Sequence, residues 1–250
     1  MNHSVTNPLD RARDLVDAAD RIVVFTGAGM SAESGIATFR DALTGMWENH
    51  DPMVLASPDG WDADRDMVWA WYRERAAQVR STEPNAGHLA IARLADEKAV
   101  GGGSVQVVTQ NVDDLHERAG STVDAHLHGG LFAPRCEACD RPEPPDVALV
   151  APRPDCPVCG ASIRPGVVWF GEMLPATDWQ RADEATRTCD LMLVVGTSGV
   201  VYPAAELPER AYRAGTPIIE VNPDVSALTR LATVPLVGSA AELLPALAER

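Results

Sequence analysis

The chain has 250 residues, 46% of them hydrophobic, and its 21 basic and 36 acidic side chains give a formal net charge of 21 − 36 = −15. That length suits one large domain or one domain with insertions, and that apolar content excludes wholesale disorder. A field of this sign repels nucleic-acid phosphates and is expected to attract basic partners such as lysine-rich peptide segments, although an acidic surface is also simply solubilising.

The N-terminal stretch MNHSVTNPLDRARDLVDAAD lacks a basic start followed by an apolar core, and no run approaches the roughly 18 apolar residues of a membrane span. A cytoplasmic address is the expectation. Leu9 to Ala19 reads as a helix, with Leu15, Val16 and Ala19 on one stripe. RIVVFT, 21–26, reads as a buried strand that runs directly into GAGMSAESG and an expected helix. Residues 41–84 are tryptophan-rich and helical, punctuated by Pro52 and Pro58. A helix follows over 86–98, a GGG turn at 101–103, a strand at 105–109 and a helix over 112–119. HLHGG, 126–130, closes a short strand. Residues 134–165 hold four cysteines and eight of the nineteen prolines with little periodicity, and a segment so irregular needs a staple. Beyond it lie an extended piece at 167–170, strands at 190–198, 217–221 and 234–237, and helices at about 203–214 and 240–249.

The strand runs are continuously apolar, as strands covered on both faces should be. Their alternation with helices predicts a parallel α/β sheet. Residues 1–40, 85–133 and 166–250 are read as that domain, 41–84 as a helical insertion and 134–165 as a zinc-binding insertion.

Four of the five cysteines form two CxxC pairs, Cys136 with Cys139 and Cys156 with Cys159, sixteen residues apart. That is the spacing of a tetrahedral zinc ribbon, and four thiolates leave no open position, so the metal is expected to be structural. A redox-active CxxC is the competing reading. Cys189 reads as a small core hydrophobe. Gly27, Gly29 and Ala32 fit GxGxx[GA] after a strand, a turn whose backbone N–H groups can meet a pyrophosphate; a plain tight turn competes. The acid expected about twenty residues later at the end of a second strand is missing. That region is GMWENHDP, so this is not an ordinary dehydrogenase fingerprint. In WAWYRERAAQ, 69–78, Tyr72 and Arg75 sit about one helical turn apart. From spacing alone the plainer reading is a surface pair, with Arg75 on Glu74 or Glu83 and Tyr72 against the tryptophans.

GAGMSAESGIATFRD (27–41), TQNVDDLHERAG (109–120) and HLHGG (126–130), with GTS (196–198) and VNP (221–223) in the same order, resemble the signatures of the sirtuins, the NAD-dependent protein deacylases. The resemblance runs from about Ile22 to the C-terminus. It implies a Rossmann-like, doubly wound parallel sheet with an inserted zinc-ribbon module and an inserted helical module. It also implies NAD as co-substrate and acylated lysine peptides as partners. The dinucleotide would be held by Gly27, Ala28, Gly29, Ser31, Ala32, Glu33, Phe39, Arg40, Gln110, Asn111, Val112, Asp113, Gly196, Thr197, Ser198, Asn222, Pro223, Asp224 and Ala240. Asp113 would read nicotinamide, Gln110 would face the ribose, Phe39 would shield its C1′ and Arg40 would pair with phosphate.

In the implied reaction the acyl-lysine carbonyl oxygen captures C1′ as nicotinamide leaves, which demands placement more than basicity. His128 is the implied general base for a ribose hydroxyl, and water then frees lysine and O-acyl-ADP-ribose. His126 is expected on the opposite face and His116 is expected to be structural. Val168, Phe170 and Gly171 would form an edge for the substrate backbone, with GVVYP, 199–203, as the opposite wall. The Tyr72/Arg75 pair resembles that of the branch removing negatively charged acyl groups, where a guanidinium fork binds a malonyl or succinyl carboxylate. The small Ala42 would leave room for the longer acyl arm. Competing readings are a deacetylase without acidic-acyl preference, a protein ADP-ribosyltransferase, and a non-catalytic zinc ribbon or acyl-lysine reader.

Overall fold

The structure, a computed structural model, describes residues 7–36 and 51–248. Six strands form one parallel sheet: β1 (Arg21–Thr26), β2 (Ser104–Thr109), β3 (Val123–His126), β6 (Leu191–Val195), β7 (Ile218–Asn222) and β8 (Val234–Val237). Their spatial order is β3-β2-β1-β6-β7-β8. The order therefore reverses between β1 and β6, which run in parallel toward a shared crevice at their carboxyl ends. A separate antiparallel pair, β4 (Arg135–Cys136) and β5 (Ile163–Arg164), lies among the cysteines.

Period-two alternation explains the continuous apolar runs. In β1, Ile22 and Val24 face one core, built with α1 (Pro8–Ala18), α5 (Ala86–Val100) and α9 (Ala240–Ala248). Val23 and Phe25 face a second core with α7 (Ala176–Thr188) and α8 (Glu206–Ala214). Both sides being covered, every position from Ile22 to Phe25 is apolar and buried. Full burial of a side chain such as Phe25 contributes roughly 1.5–3 kcal/mol, and Phe25 is completely buried.

A third core joins the chain's two irregular regions. The helices α2 (Pro52–Leu55), α3 (Pro58–Ala63) and α4 (Arg65–Arg80) bury Trp61, Trp69 and Trp71 against Cys136, Cys156, Ile163 and Trp169. Polar ends are matched across this junction. The Trp61 indole donates to Glu137 Oε2 at 2.7 Å, the Trp69 indole to the Val150 carbonyl at 2.9 Å, and Arg153 to Asp66 at 2.9 Å.

Local sequence sets the helix ends. Asn7 accepts from Leu9 N–H before Pro8 opens α1, and Asn85 with His88 forms a capping box at α5. The orphan carbonyls at the end of α1 are taken by Lys98, the chain's one lysine. Its ammonium donates to Val16, Asp17 and Ala19 carbonyls at 2.6, 3.3 and 2.7 Å. Two expectations are corrected. GAGMSAES does not enter a helix but makes two 3-10 turns, Ala28–Met30 and Ala32–Ser34, ended by Gly35 in the left-handed region. The helix expected over 112–119 is only α6, Leu115–Arg118, because Asn111 and Asp113 turn inward and hold the preceding loop.

The β1 turn meets the β6 turn at backbone distance. A Cβ on Gly29 would lie 2.7 Å from Gly196 Cα, and one on Gly196, at φ +59°, would lie 2.4 Å from Met30 N. Gly196→Ala should therefore lower the urea midpoint of unfolding by the equivalent of at least about 2 kcal/mol. A midpoint within error of wild type would show that the two turns can separate without cost.

Candidate active site

The turns after β1, β2, β3 and β6 converge at the carboxyl edge of the sheet. Thr26 and Thr109 end β1 and β2 side by side. Thr26 Oγ1 donates to Thr109 Oγ1 at 2.8 Å, and Thr109 Oγ1 accepts the Asn111 N–H at 3.0 Å. The Asn111 amide donates to Ser31 Oγ at 3.1 Å, and Ser31 donates to Asp113 Oδ2 at 2.9 Å. Asp113 Oδ1 also accepts the Leu115 N–H at 3.1 Å. Burial raises the Asp113 pKa, and these two hydrogen bonds oppose the rise. The Gln110 amide reaches across to Thr197 Oγ1 at 3.1 Å, and Asn222 donates to the Thr197 carbonyl at 3.1 Å.

Two imidazoles underlie this network. His88 Nδ1 accepts the Asn85 N–H at 3.3 Å, so its proton is on Nε2, 3.5 Å from Ser31 Oγ. His116 Nε2 lies 3.2 Å from Thr26 Oγ1, whose own proton is committed to Thr109, so Nε2 donates. The rings stack edge to face with centroids 4.9 Å apart. Burial pushes the His88 pKa down to about 4 and that of His116 down to about 3, so both are neutral. His116 is thus fully enclosed, at 2% exposure.

His128 follows β3, in the turn leading to Gly129. Its Nδ1 is 3.0 Å from the Gln110 carbonyl, which can only accept, so Nδ1 carries the proton and the Nε2 lone pair is left free. Burial lowers its pKa, and the hydrogen bond to Gln110 opposes this. A neutral imidazole fixed in one tautomer is what a general base requires. His126, two residues earlier, instead meets Glu117 at 2.7 Å. Burial disfavours its charged form, but the Glu117 carboxylate prevails and raises its pKa.

Several residues read from sequence stand elsewhere than a simple phosphate cradle would put them. The N–H groups of Gly27 and Gly29 donate to Val195 and Gly196 carbonyls at 3.0 and 2.8 Å, and those of Met30 and Ser31 close the first 3-10 turn. The glycines are needed for the approach of two loops. Glu33 accepts the Ala241 N–H at 2.7 Å, at the start of α9, and Ala240 is buried beneath it. Ala28, Ala32, Ser198, Pro223 and Asp224 are exposed around the crevice, while Val112 and Gly196 are half-buried. Phe39, Arg40 and Ala42 lie outside the described residues.

The segment 167–171 is not a regular strand. Val167 makes one bridge to Gly129, and the N–H groups of Val168, Trp169 and Phe170 are taken by His128 O, Glu172 and Ala56 O. Gly171 turns the chain at φ +88°. Tyr72 is buried at 6% exposure, and its hydroxyl accepts from the Trp169 indole at 3.1 Å. Burial raises the phenol pKa, and Arg75 opposes the rise. Arg75 lies 5.1 Å from the centroid of Trp71 and makes no hydrogen bond or ion pair among the described residues. Glu83 pairs with Arg118 instead, at 3.1 Å. His116 is the enclosed, structural residue expected, whereas the sequence pattern does not show the partnership of Trp169 with Tyr72 or that of His88 with His116; only the NAGH capping pattern before α5 signals His88 locally.

The four Sγ atoms of Cys136, Cys139, Cys156 and Cys159 lie within 4.8 Å of one another, with contacts of 3.4, 3.7 and 3.8 Å. Four ligands about 2.3 Å from a tetrahedral Zn2+ would be about 3.8 Å apart. N–H groups of Ala138 and Cys139 point at Cys136 Sγ, which favours its thiolate. The donor set fits one structural zinc.

Sheet order, switch-point crevice and thiolate cluster together define a dinucleotide-binding α/β protein with a structural metal module. A sequence model of the Sir2 family matches residues 27–203, and the chain belongs to that family, the sirtuins. It is 49% identical over 255 residues to NAD-dependent protein deacylase 2 of Corynebacterium efficiens, covering 99% of this chain and 98% of that one. With an NAD-dependent protein deacylase of Methylococcus capsulatus it shares 50% identity, covering 92% and 91%. A Sir2 homologue solved as an NAD complex superposes with a TM-score of 0.90 at 41% identity, covering 99% and 94%. Sir2Af2 bound to a myristoylated histone peptide superposes at 0.77 and 34% identity, covering 96% and 94%. NAD is the family's co-substrate, and the amides and hydroxyls of Gln110, Asn111, Ser31 and Thr197 are the donor chemistry a ribose and a carboxamide require.

Two consequences can be measured. The neutral histidines take up protons more readily when unfolded, near pKa 6.5, than when folded. Their contribution to stability is complete above that pH and is lost as pH falls below it. His116→Gln should be less stable at pH 7.5 yet lose about 1.4 kcal/mol less than wild type between pH 7.5 and 5.5, by urea unfolding. Parallel losses would place the ring in solvent. Elemental analysis should find one zinc per chain. Cys159→Ser should abolish it and lower Tm by on the order of 10 °C; retained metal with an unchanged Tm would dissociate this cluster from zinc.

Proposed function

We propose that this chain, an NAD-dependent protein deacylase, prefers lysine acyl groups that end in a carboxylate, succinyl and malonyl, and retains weaker deacetylase activity. One observation carries the preference. Arg75 is half-buried and makes no ion pair or hydrogen bond among the described residues, beside the Tyr72 hydroxyl. Burial lowers its pKa, and Tyr72 and Asp113 work against that. A partly desolvated cation that meets only an aromatic face among the described residues carries a cost, and a substrate carboxylate would relieve it with two charge-assisted hydrogen bonds. A pocket meant only for a methyl group gains nothing from this arrangement.

The remaining roles are assigned on the same reading. NAD supplies a ribose carbon that becomes electrophilic as nicotinamide leaves. Gln110, Asn111, Ser31 and Thr197 orient ribose and carboxamide, and Asp113 reads nicotinamide through its fixed carboxylate. His128 accepts a ribose hydroxyl proton on the Nε2 left free by its bond to the Gln110 carbonyl. The peptide lies between 168–171 and 199–203, where Val200 and Tyr202 are 53% and 58% exposed. Acidic net charge favours basic sequence around the target lysine.

The test is steady-state turnover on one peptide carrying succinyl-, acetyl- or the neutral 3-carbamoylpropanoyl-lysine. Loss of two charge-assisted bonds predicts that Tyr72→Phe with Arg75→Met lowers the succinyl-to-acetyl ratio of kcat/KM at least about 30-fold. The carbamoyl substrate should be turned over no better than acetyl by either protein. An unchanged ratio would remove the acidic-acyl assignment and leave the deacylase reading intact.

A further inference from the structure

The Tyr72 hydroxyl has a neighbour that fixes its polarity. Trp169 Nε1 donates to it at 3.1 Å, in a site where both side chains are buried, at 2% and 6% exposure. An indole N–H can only donate. One lone pair of the phenol oxygen is therefore occupied, and its single proton is left to point elsewhere. Arg75 also can only donate. The indole is itself held. The Arg164 guanidinium lies 3.5 Å from the centroid of the Trp169 ring. Arg164 is in turn locked by a fork onto Glu172, at 2.6 and 2.9 Å, and by the Val167 carbonyl at 3.2 Å. Glu172 closes the circuit by accepting the Trp169 N–H at 2.8 Å.

We infer that Trp169, fixed by the Arg164–Glu172 fork, is a specificity-positioning residue that commits the Tyr72 hydroxyl to donate toward the acyl terminus, so that among the described residues Tyr72 and Arg75 both present donors to this end of the pocket. This deepens the acidic-acyl reading and rests on it. A carboxylate satisfies a donor-only site with acceptors alone. An amide of the same shape brings two N–H groups that find no acceptor there, and leaving buried donors unpaired is penalised more than a good bond is rewarded. A phenol free to rotate could accept from such an amide and would discriminate less. The Arg164 arrangement is buried and costly to desolvate, which surface docking of a peptide edge would not require; its geometry makes sense as a clamp on one ring.

A double-mutant cycle on the succinyl-to-acetyl ratio of kcat/KM tests the coupling. Trp169→Phe keeps an aromatic face for Arg164 and removes the indole donor. In the Tyr72 background it should lower the ratio about five- to tenfold, the equivalent of one buried hydrogen bond. In the Tyr72→Phe background it should change the ratio less than about twofold. Succinyl-over-carbamoyl discrimination should fall in step with the ratio. A merely structural tryptophan would move both substrates together, and would do so equally in both backgrounds; that result, or no effect in either, overturns the inference. If W169F does not fold, Arg164→Lys runs through the same cycle, since it keeps the charge and loses the fork. Failure of the parent reading has a different signature. There, Tyr72→Phe with Arg75→Met leaves the ratio unmoved, whereas here that pair collapses the ratio and only the tryptophan term is absent.

Discussion

The approach of two glycine turns at the point where strand order reverses governs the rest of the molecule. Gly27 and Gly29 leave β1 and lean on Gly196 and Thr197 leaving β6, with N–H groups donating to carbonyls across the gap. Any side chain there would collide with backbone at under 3 Å. Because β1 and β6 are the inner neighbours of the sheet, this contact sets the depth of the crevice. It also sets where Ser31 stands relative to the loop after β2. The phosphate-cradle explanation of such glycines is natural from sequence, but the closer constraint is protein against protein.

On that base the site is a set of oriented dipoles with few charges. Thr26, Thr109, Ser31 and Asn111 pass hydrogen bonds from one strand end to the next, and two neutral histidines donate into the chain from below. Protonating either ring would bury a cation without an acid facing it, so burial depresses both pKa values. The same economy applies to His128, whose one proton is spent on a carbonyl. Orientation prepared before the substrate arrives is worth more in such a reaction than basic strength.

Much of this was legible in the sequence, for identifiable reasons. Continuous apolar runs separated by helical patterns gave the parallel sheet, because a strand covered on both faces has no polar positions to spare. The cysteine spacing gave the metal module outright, since four thiols at that separation have few other uses. What remained hidden depends on distance in space. Nothing near Trp169 announces that its indole will meet a phenol ninety-seven positions away, and the two insertions stand apart in the sequence although their tryptophans and cysteines share one core. The extended piece at 167–170 reads as a strand because its residues favour one, whereas in the fold its N–H groups are claimed individually by three different elements.

Lys98 carries a consequence beyond its helix end. Of the 21 basic side chains, the other twenty are arginines, and the lone side-chain amine is 9% exposed and held by three carbonyls. Neutral, accessible amines attack the carbonyl of activated thioesters and expel the thiolate, whereas guanidinium groups stay protonated and inert. The folded chain thus shields its one side-chain amine from the kind of mark its family removes.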